Sequence, residues 1–182
     1  WYCGSLEGEF KGDGSECQSV ACMLEGDECS NAIEVFVGAN AFDTTPMTPS
    51  PDEPIESGND GGFSWDCFDT NLNWNNSPDG WYKYIATEAG PTTFSTCDPN
   101  SYDTSIALYA SGCNPNNQVR GNGDSDLDDT NCQPYFSSVE YYVDIGEVYY
   151  IRIGSWNGET VGQGTLTITP PPIGDGVCCL SS

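Results

Sequence analysis

Ten cysteines in 182 residues, with no histidine anywhere, narrow what this chain can become. Zinc fingers and zinc ribbons draw on Cys-x-x-Cys pairs or on cysteine–histidine sets, and neither occurs here. An even cysteine count in a chain rich in glycine, asparagine and aspartate reads instead as a disulfide framework. Such a framework needs an oxidising compartment, so the chain is expected to be secreted or to lie on a cell surface. Cys113 and Cys132 bracket an acidic stretch and are expected to pair with each other. Without histidine, Ser-His-Asp and Cys-His catalysis are out of reach, and oxidised cysteines are not nucleophiles.

Charge narrows the partners. Lys11, Lys83, Arg120 and Arg152 face 28 acidic residues, for a net charge of -24. A field of that sign repels phosphates, which argues against nucleic acid and anionic membranes. No apolar stretch has the length of a membrane span. The sequence opens at Trp1 with neither a methionine nor an apolar signal segment, as expected of a processed chain. Among 28 carboxylates, pairs close enough for a glycosidase arise by chance, and no spacing marks one pair out. An enzyme is therefore not expected.

The local pattern is that of strands. Period-two alternation and β-branched or aromatic enrichment occur at 32–37, 80–86, 92–96, 103–109, 139–143, 148–153 and 164–169. In Asp103–Tyr109 the residues Thr104, Ile106 and Leu108 share a face; in Gly164–Thr169, Leu166 and Ile168 point inward. Trp81 and Tyr149 sit inside strands and are expected in the core. The stretch 43–54 holds too much proline for a central strand and reads as a loop. No window carries a helical period. About eight short strands with long loops fit an all-β fold, a two-sheet antiparallel jelly-roll-like β-sandwich stapled by disulfides. The sandwich is expected over 26–169. Residues 1–25 would form an extended N-terminal arm with Cys3, Cys17 and Cys22, and 170–182 a tail with Cys178 and Cys179.

Several blocks along this span carry a resemblance. They are Gly26-Asp27-Glu28-Cys29-Ser30-Asn31-Ala32, Phe42-Asp43-Thr44-Thr45, Asp79–Tyr84, Ser95-Thr96-Cys97, Tyr102-Asp103-Thr104 with Ile106–Tyr109, Tyr149–Gly154, Trp156-Asn157-Gly158 and Gly164–Ile168. In order and spacing they resemble the bacterial secreted pre-peptidase C-terminal-like β-sandwich module, in the cysteine-rich form of planctomycete-type surface proteins. The resemblance covers 26–169. It implies a jelly-roll-like sandwich that accompanies secreted enzymes, adhesins and surface proteins without being catalytic. The family's Asn-Asp-Asp turn is replaced here by Asn122-Gly123-Asp124-Ser125-Asp126, which puts an inherited metal site in doubt.

Calcium is the expected cofactor, because hard cations collect carboxylate and amide oxygens on flexible loops. Asn122, Asp124, Asp126, Asp128 and Asp129 supply such oxygens within eight residues, with Asp103 as a cross-strand partner. The glutamate that closes an EF-hand is missing, since position 133 is Gln133, and a solvated acidic turn explains the same residues. Trp74 and Trp156, in Asn/Gly-rich loops, are candidates for stacking on a sugar ring; Trp65 is a weaker one. Asn75 lies in the single N-x-S/T sequon, and Thr44, Thr45, Thr48 and Ser50 lie in a loop whose composition suits O-glycans. Two functions remain open. One is a structural subunit that binds copies of itself through its cysteine-bearing arms, building a fibre or surface layer. The other is a carbohydrate- or surface-binding module of a larger secreted protein.

Overall fold

The computed structural model describes residues 24–51, 54, 77–125, 131–155 and 160–172. Nine strands lie within them: β1 (Ile33–Val35), β2 (Gly38–Asp43), β3 (Gly80–Ile85), β4 (Gly90–Ser95), β5 (Thr104–Ala110), β6 (Gln118–Asn122), β7 (Ser138–Val143), β8 (Val148–Ser155) and β9 (Gln163–Thr169). They form a five-stranded sheet in the order β1-β3-β8-β5-β6 and a four-stranded sheet in the order β2-β9-β4-β7. The chain is thus a two-sheet β-sandwich. All pairings are antiparallel except one: β1 runs parallel to β3, with Val35 opposite Tyr84. The antiparallel expectation is corrected there. Residues 24–32 reach β1 from the loop end of β3, so β1 enters the sheet in the direction of β3, and Trp81 N–H donates to Gly26 O at 2.7 Å.

The expected strand over 32–37 ends at Val35, because the chain turns at Phe36 and Val37 to cross between the sheets. Asn40 clasps that crossing, accepting from Phe36 N–H at 3.0 Å and donating to Phe36 O at 2.7 Å. β2 and β6 are strands that the sequence pattern does not mark. Both are edge strands, of composition GANAFD and QVRGN, held by a neighbour's ladder more than by their own propensity.

Between the sheets lies the main core. Phe42, Tyr82, Tyr84, Phe94, Ile106, Leu108, Val143, Ile151, Ile153, Leu166 and Ile168 are buried there. Each fully buried side chain of this size stabilises the fold by roughly 1.5–3 kcal/mol. Edge-to-face rings, Phe42 with Tyr82 and Tyr84 with Phe94, tie the two sheets together.

A second, smaller core sits on the outer face of the five-stranded sheet. Trp81, Ala107 and Tyr109 are buried there under Cys29, Ala32, Cys113 and Tyr150. Cys29 is bonded to Cys113, which pins the 24–32 segment across this face. Cys132 is bonded to Cys97. The expected Cys113–Cys132 pair is therefore corrected. Cys113 lies in the β5–β6 turn and Cys132 in the β6–β7 loop, at opposite ends of β6, so bracketing the acidic stretch in sequence separates the two in space.

Candidate functional site

The strand registers bring the β2–β3, β4–β5, β6–β7 and β8–β9 connections to one end of the sandwich. This loop end is braced from several sides. The Cys97–Cys132 disulfide joins the β4–β5 and β6–β7 loops, with Cα atoms 4.7 Å apart. Buried Gln133 adds to it: its Oε1 accepts from Asp98 N–H at 3.3 Å, and its Nε2 donates to Tyr102 O at 2.7 Å. Thr96, Thr104 and Ser137 are fully buried and satisfy one another, with Thr96 Oγ1 2.6 Å from Thr104 Oγ1 and Ser137 Oγ donating to Thr104 O at 2.6 Å.

An open cleft of about 620 Å³ lies at this end, with Phe42, Asp43, Asp98, Asn100 and Gln163 among its walls. The side chain of Asp43 accepts from Gln163 Nε2 and from Thr45 N–H, both at 2.8 Å. The hydrogen bond from Gln163, helped by Thr45, holds its carboxyl below the usual range. Asp98 accepts from Asn100 N–H at 2.9 Å and Thr165 Oγ1 at 2.7 Å, and these bonds likewise hold its carboxyl low. Both acids are ionised at neutral pH. A glycosidase needs one of its two carboxyls raised to act as the acid, and this cleft does the reverse to both. Gly164 forms part of the wall; a Cβ there would run into the Phe42 ring and Ser101 Oγ.

Asp103 sits beside this region at the start of β5. One of its carboxylate oxygens is buried with no hydrogen-bond partner among the described residues. Burial, and then the charge of Asp124, push its carboxyl up to about 6. The structure thus brings Asp103 and Asp124 together. Asn122 serves the fold instead. Its Oδ1 accepts from Ser138 N–H and its Nδ2 donates to Asp124 O, both at 2.9 Å, which knits β6 to β7 across the seam of the sandwich. Asp126 and Asp128 lie outside the described residues, as do Asp129, Trp65, Trp74, Trp156 and Asn75. Among the described residues no group of three or more acidic, cysteine or histidine side chains converges on one point.

The expected glycan loop is corrected in part. Thr44 is fully buried, its Oγ1 2.8 Å from the Tyr102 hydroxyl, and cannot carry a glycan. Ser50 is also buried. Thr48 is exposed, but its Oγ1 donates to both Asp27 carboxylate oxygens, at 3.1 and 3.0 Å. Thr45 is exposed.

Ser50 belongs to a cluster that the sequence pattern does not assemble. On the outer face of the five-stranded sheet, Arg152 Nη2 meets Asp79 Oδ2 at 2.7 Å, both side chains completely buried. Asp79 also accepts from Ser50 Oγ at 2.7 Å and Ser50 N–H at 3.1 Å. Trp81 Nε1 donates to Ser50 Oγ at 2.8 Å, and the guanidinium lies over the Trp81 ring, 5.3 Å from its centroid. One signal of the cluster is present in the sequence: one of only four basic residues stands inside the apolar run Tyr149–Ile153.

No family model matches the chain. No curated protein matches it in sequence. In structure it is similar to the pre-peptidase C-terminal domain of collagenase from Bacillus anthracis, at 9% identity and a TM-score of 0.43, covering 76% of this chain and 94% of that one. It is also similar to a family 35 carbohydrate binding module from an environmental isolate, at 8% identity and a TM-score of 0.31, covering 72% of this chain and 93% of that one. No helix among the described residues is long and apolar enough to cross a membrane.

Proposed function

We propose that this chain is a non-catalytic extracellular module that binds a polyhydroxylated ligand, a glycan, in the cleft at its loop end. The observation that carries the reading is the lining of that cleft: the ionised carboxylates of Asp43 and Asp98 and the amides of Asn100 and Gln163 stand beside an apolar wall that includes Ile33, Phe42, Pro46 and Met47. Carboxylates accept from paired sugar hydroxyls, and amides both donate and accept. The disulfide-braced β4–β5 loop holds Asp98 and Asn100, and the paired ends of β2 and β9 hold Asp43 and Gln163, before a ligand arrives, which lowers the ordering cost of binding. Disulfides inside the domain favour an oxidising, extracellular setting. Glycan arrays and affinity electrophoresis on neutral polysaccharides test the reading. Binding should appear, and Asn100→Ala with Gln163→Ala should weaken it about tenfold, the loss of roughly 1.4 kcal/mol of hydrogen bonding. A blank on both assays with the intact chain would overturn it.

Calcium is proposed as a brace of the same end. Asp103 and Asp124 would hold it, completed by backbone carbonyls and water. The buried, unpartnered oxygen of Asp103 fits a cation, which would relieve the repulsion between the two acids. A ligand bound only by the folded state stabilises by about 2.7 kcal/mol at a hundred times its Kd. Unfolding midpoints should therefore rise by several degrees between chelator and millimolar calcium, and Asp103→Asn should abolish that rise. Equal midpoints would remove calcium from the account.

The alternative, a fibre or surface-layer subunit, depends on the terminal arms. Of these only residues 24–25 and 170–172 are described.

A further inference from the structure

Every oxygen of the two cleft carboxylates is already aimed by a donor of the chain. In Asp43, Oδ1 accepts from Thr45 N–H and Oδ2 from Gln163 Nε2. In Asp98, Oδ1 accepts from Asn100 N–H and Oδ2 from Thr165 Oγ1. A carboxylate offers about four acceptor sites, so these bonds fix both groups and leave each with capacity to accept more. Gln163 and Thr165 alternate with Gly164 on β9 and so share one side of the strand. Asp43 reaches that side from β2, which pairs with one edge of β9. Asp98 reaches it from the loop after β4, which pairs with the other edge. The two carboxylates flank the start of β9, about two strand spacings, on the order of 10 Å, apart.

Among the described residues no lysine or arginine lines this cleft. The described cations are engaged elsewhere: Lys83 pairs with Glu34 at 3.4 Å, Arg152 with Asp79 at 2.7 Å, and Arg120 lies over the Tyr141 ring, 5.3 Å from its centroid. We propose that the cleft takes a basic glycan, an oligosaccharide whose rings carry free amino groups, with Asp43 and Asp98 each receiving an ammonium. This inference rests on the reading of the cleft as a glycan site and names the class of glycan. Charge ranks the candidates. Hydrogen bonds between ionised partners are roughly twice as strong as neutral ones, which sets an ammonium above a hydroxyl. Uronic acids and sulfated sugars meet two fixed negative charges, in a chain of net charge -24, with no cation in the cleft to receive them. The apolar wall of Ile33, Phe42, Pro46 and Met47 suits the C–H faces of sugar rings, and the water it displaces strengthens the charge contacts alongside. Spacing sets the length of the ligand. A single ring engages one carboxylate, whereas an oligomer spans both, and its second contact is then intramolecular.

Isothermal titration calorimetry on the intact oxidised chain, in chelator, tests this with oligomers of D-glucosamine against the same oligomers fully N-acetylated. The amine form should bind at least about tenfold more tightly. The monosaccharide should bind far more weakly than the oligomer, and an oligogalacturonate not at all. In the wild type, raising the salt concentration should narrow the preference, because the charge contacts are screened. Asp43→Asn and Asp98→Asn should each remove most of the preference while the N-acetylated form binds as before. Glu140→Gln, which deletes an equal charge from β7 outside the cleft, should leave the preference intact. Equal affinity for the two forms overturns the proposal and leaves the glycan reading standing, as does a preference that salt does not narrow. A linear polyamine bound as tightly as the amine oligomer also overturns it, because charge alone would then suffice. Binding of neither form overturns the glycan reading and this inference with it.

Discussion

The two outer faces of the sandwich are handled in opposite ways. On the five-stranded sheet the outward residues of β3, β5 and β8 include Trp81, Ala107, Tyr109 and Arg152, and the chain folds back over them. That covering layer is held by the Cys29–Cys113 bond and by the Ser50–Asp79–Arg152 cluster. On the four-stranded sheet the outward residues are small and hydroxylated, and no described segment covers them. The difference is chemical. Large apolar and aromatic side chains gain by leaving water, at roughly 25 cal/mol per Å² of apolar surface. Threonine and serine hydroxyls are already satisfied by water, so nothing drives a cover onto them from within the chain.

The sharpest way to break this comparison is to strip the covered face of its charge pair. Arg152→Met leaves Asp79 buried without its cation, which should cost about 3–5 kcal/mol in denaturant unfolding. Asp79→Asn in the same chain should recover part of that loss, because the penalty belongs to the orphaned charge more than to the missing attraction. If Arg152→Met unfolds at the wild-type midpoint, the cover is held by something else.

Removing the staple across the covered face comes next. Cys29→Ser with Cys113→Ser frees a loop of 84 residues, and loop-closure entropy predicts a loss of up to about 4.6 kcal/mol, with about 2–4 typical of measured cases. The Cys97–Cys132 bond spans 35 residues and should cost somewhat less to remove, up to about 3.8 kcal/mol. The order of the two variants is the informative result. A greater loss at Cys97–Cys132 would place the more critical brace at the loop end instead of over the sheet.

A smaller effect is expected at Asp103, where the two sheets meet. Its carboxyl holds a proton in the folded chain up to about 6, above the usual value near 3.9 for an unfolded chain. Between these values the folded state binds more protons, so stability without calcium should fall as pH rises from about 4 to about 6. Asp103→Asn should flatten that slope and stabilise the chelated protein at neutral pH. Since the group is only half-buried, solvent screening limits the gain to about 1 kcal/mol or less. A slope unchanged by the substitution would assign it to other acids. The smallest effect belongs to the open face: Thr93→Ala and Thr167→Ala should leave monomer stability within about 0.5 kcal/mol, as for solvated sheet positions generally. A loss beyond that range would mean that the face is packed in the monomer.

Much of the sandwich is legible before folding. β3, β5, β8 and β9 alternate or run apolar over six to eight residues, because central strands must carry their own buried side chains. β2 and β6 escape because they are edges, where glycine, alanine and asparagine suffice as long as a neighbour supplies the ladder. At the loop end, Asp103 and Asp124 can be picked out as acids on neighbouring elements. Asp43, Asp98, Asn100 and Gln163 cannot, because they come from the end of β2, the β4–β5 loop and the start of β9 and share a cleft only after the registers are set.

That the fold is all-β and carries disulfides is decided by composition and by period-two patterning, which act locally or summed over the chain. Which cysteine meets which is not. Cys29 and Cys113 are 84 residues apart, and only the packing of the 24–32 segment over Trp81 and Tyr109 brings them together. The same holds for Arg152. In sequence it is one cation among 28 acids, and nothing local selects Asp79 as its partner. Tertiary structure makes that selection, because an arginine carried under a covering loop can remain charged there only beside the one carboxylate that the loop buries with it.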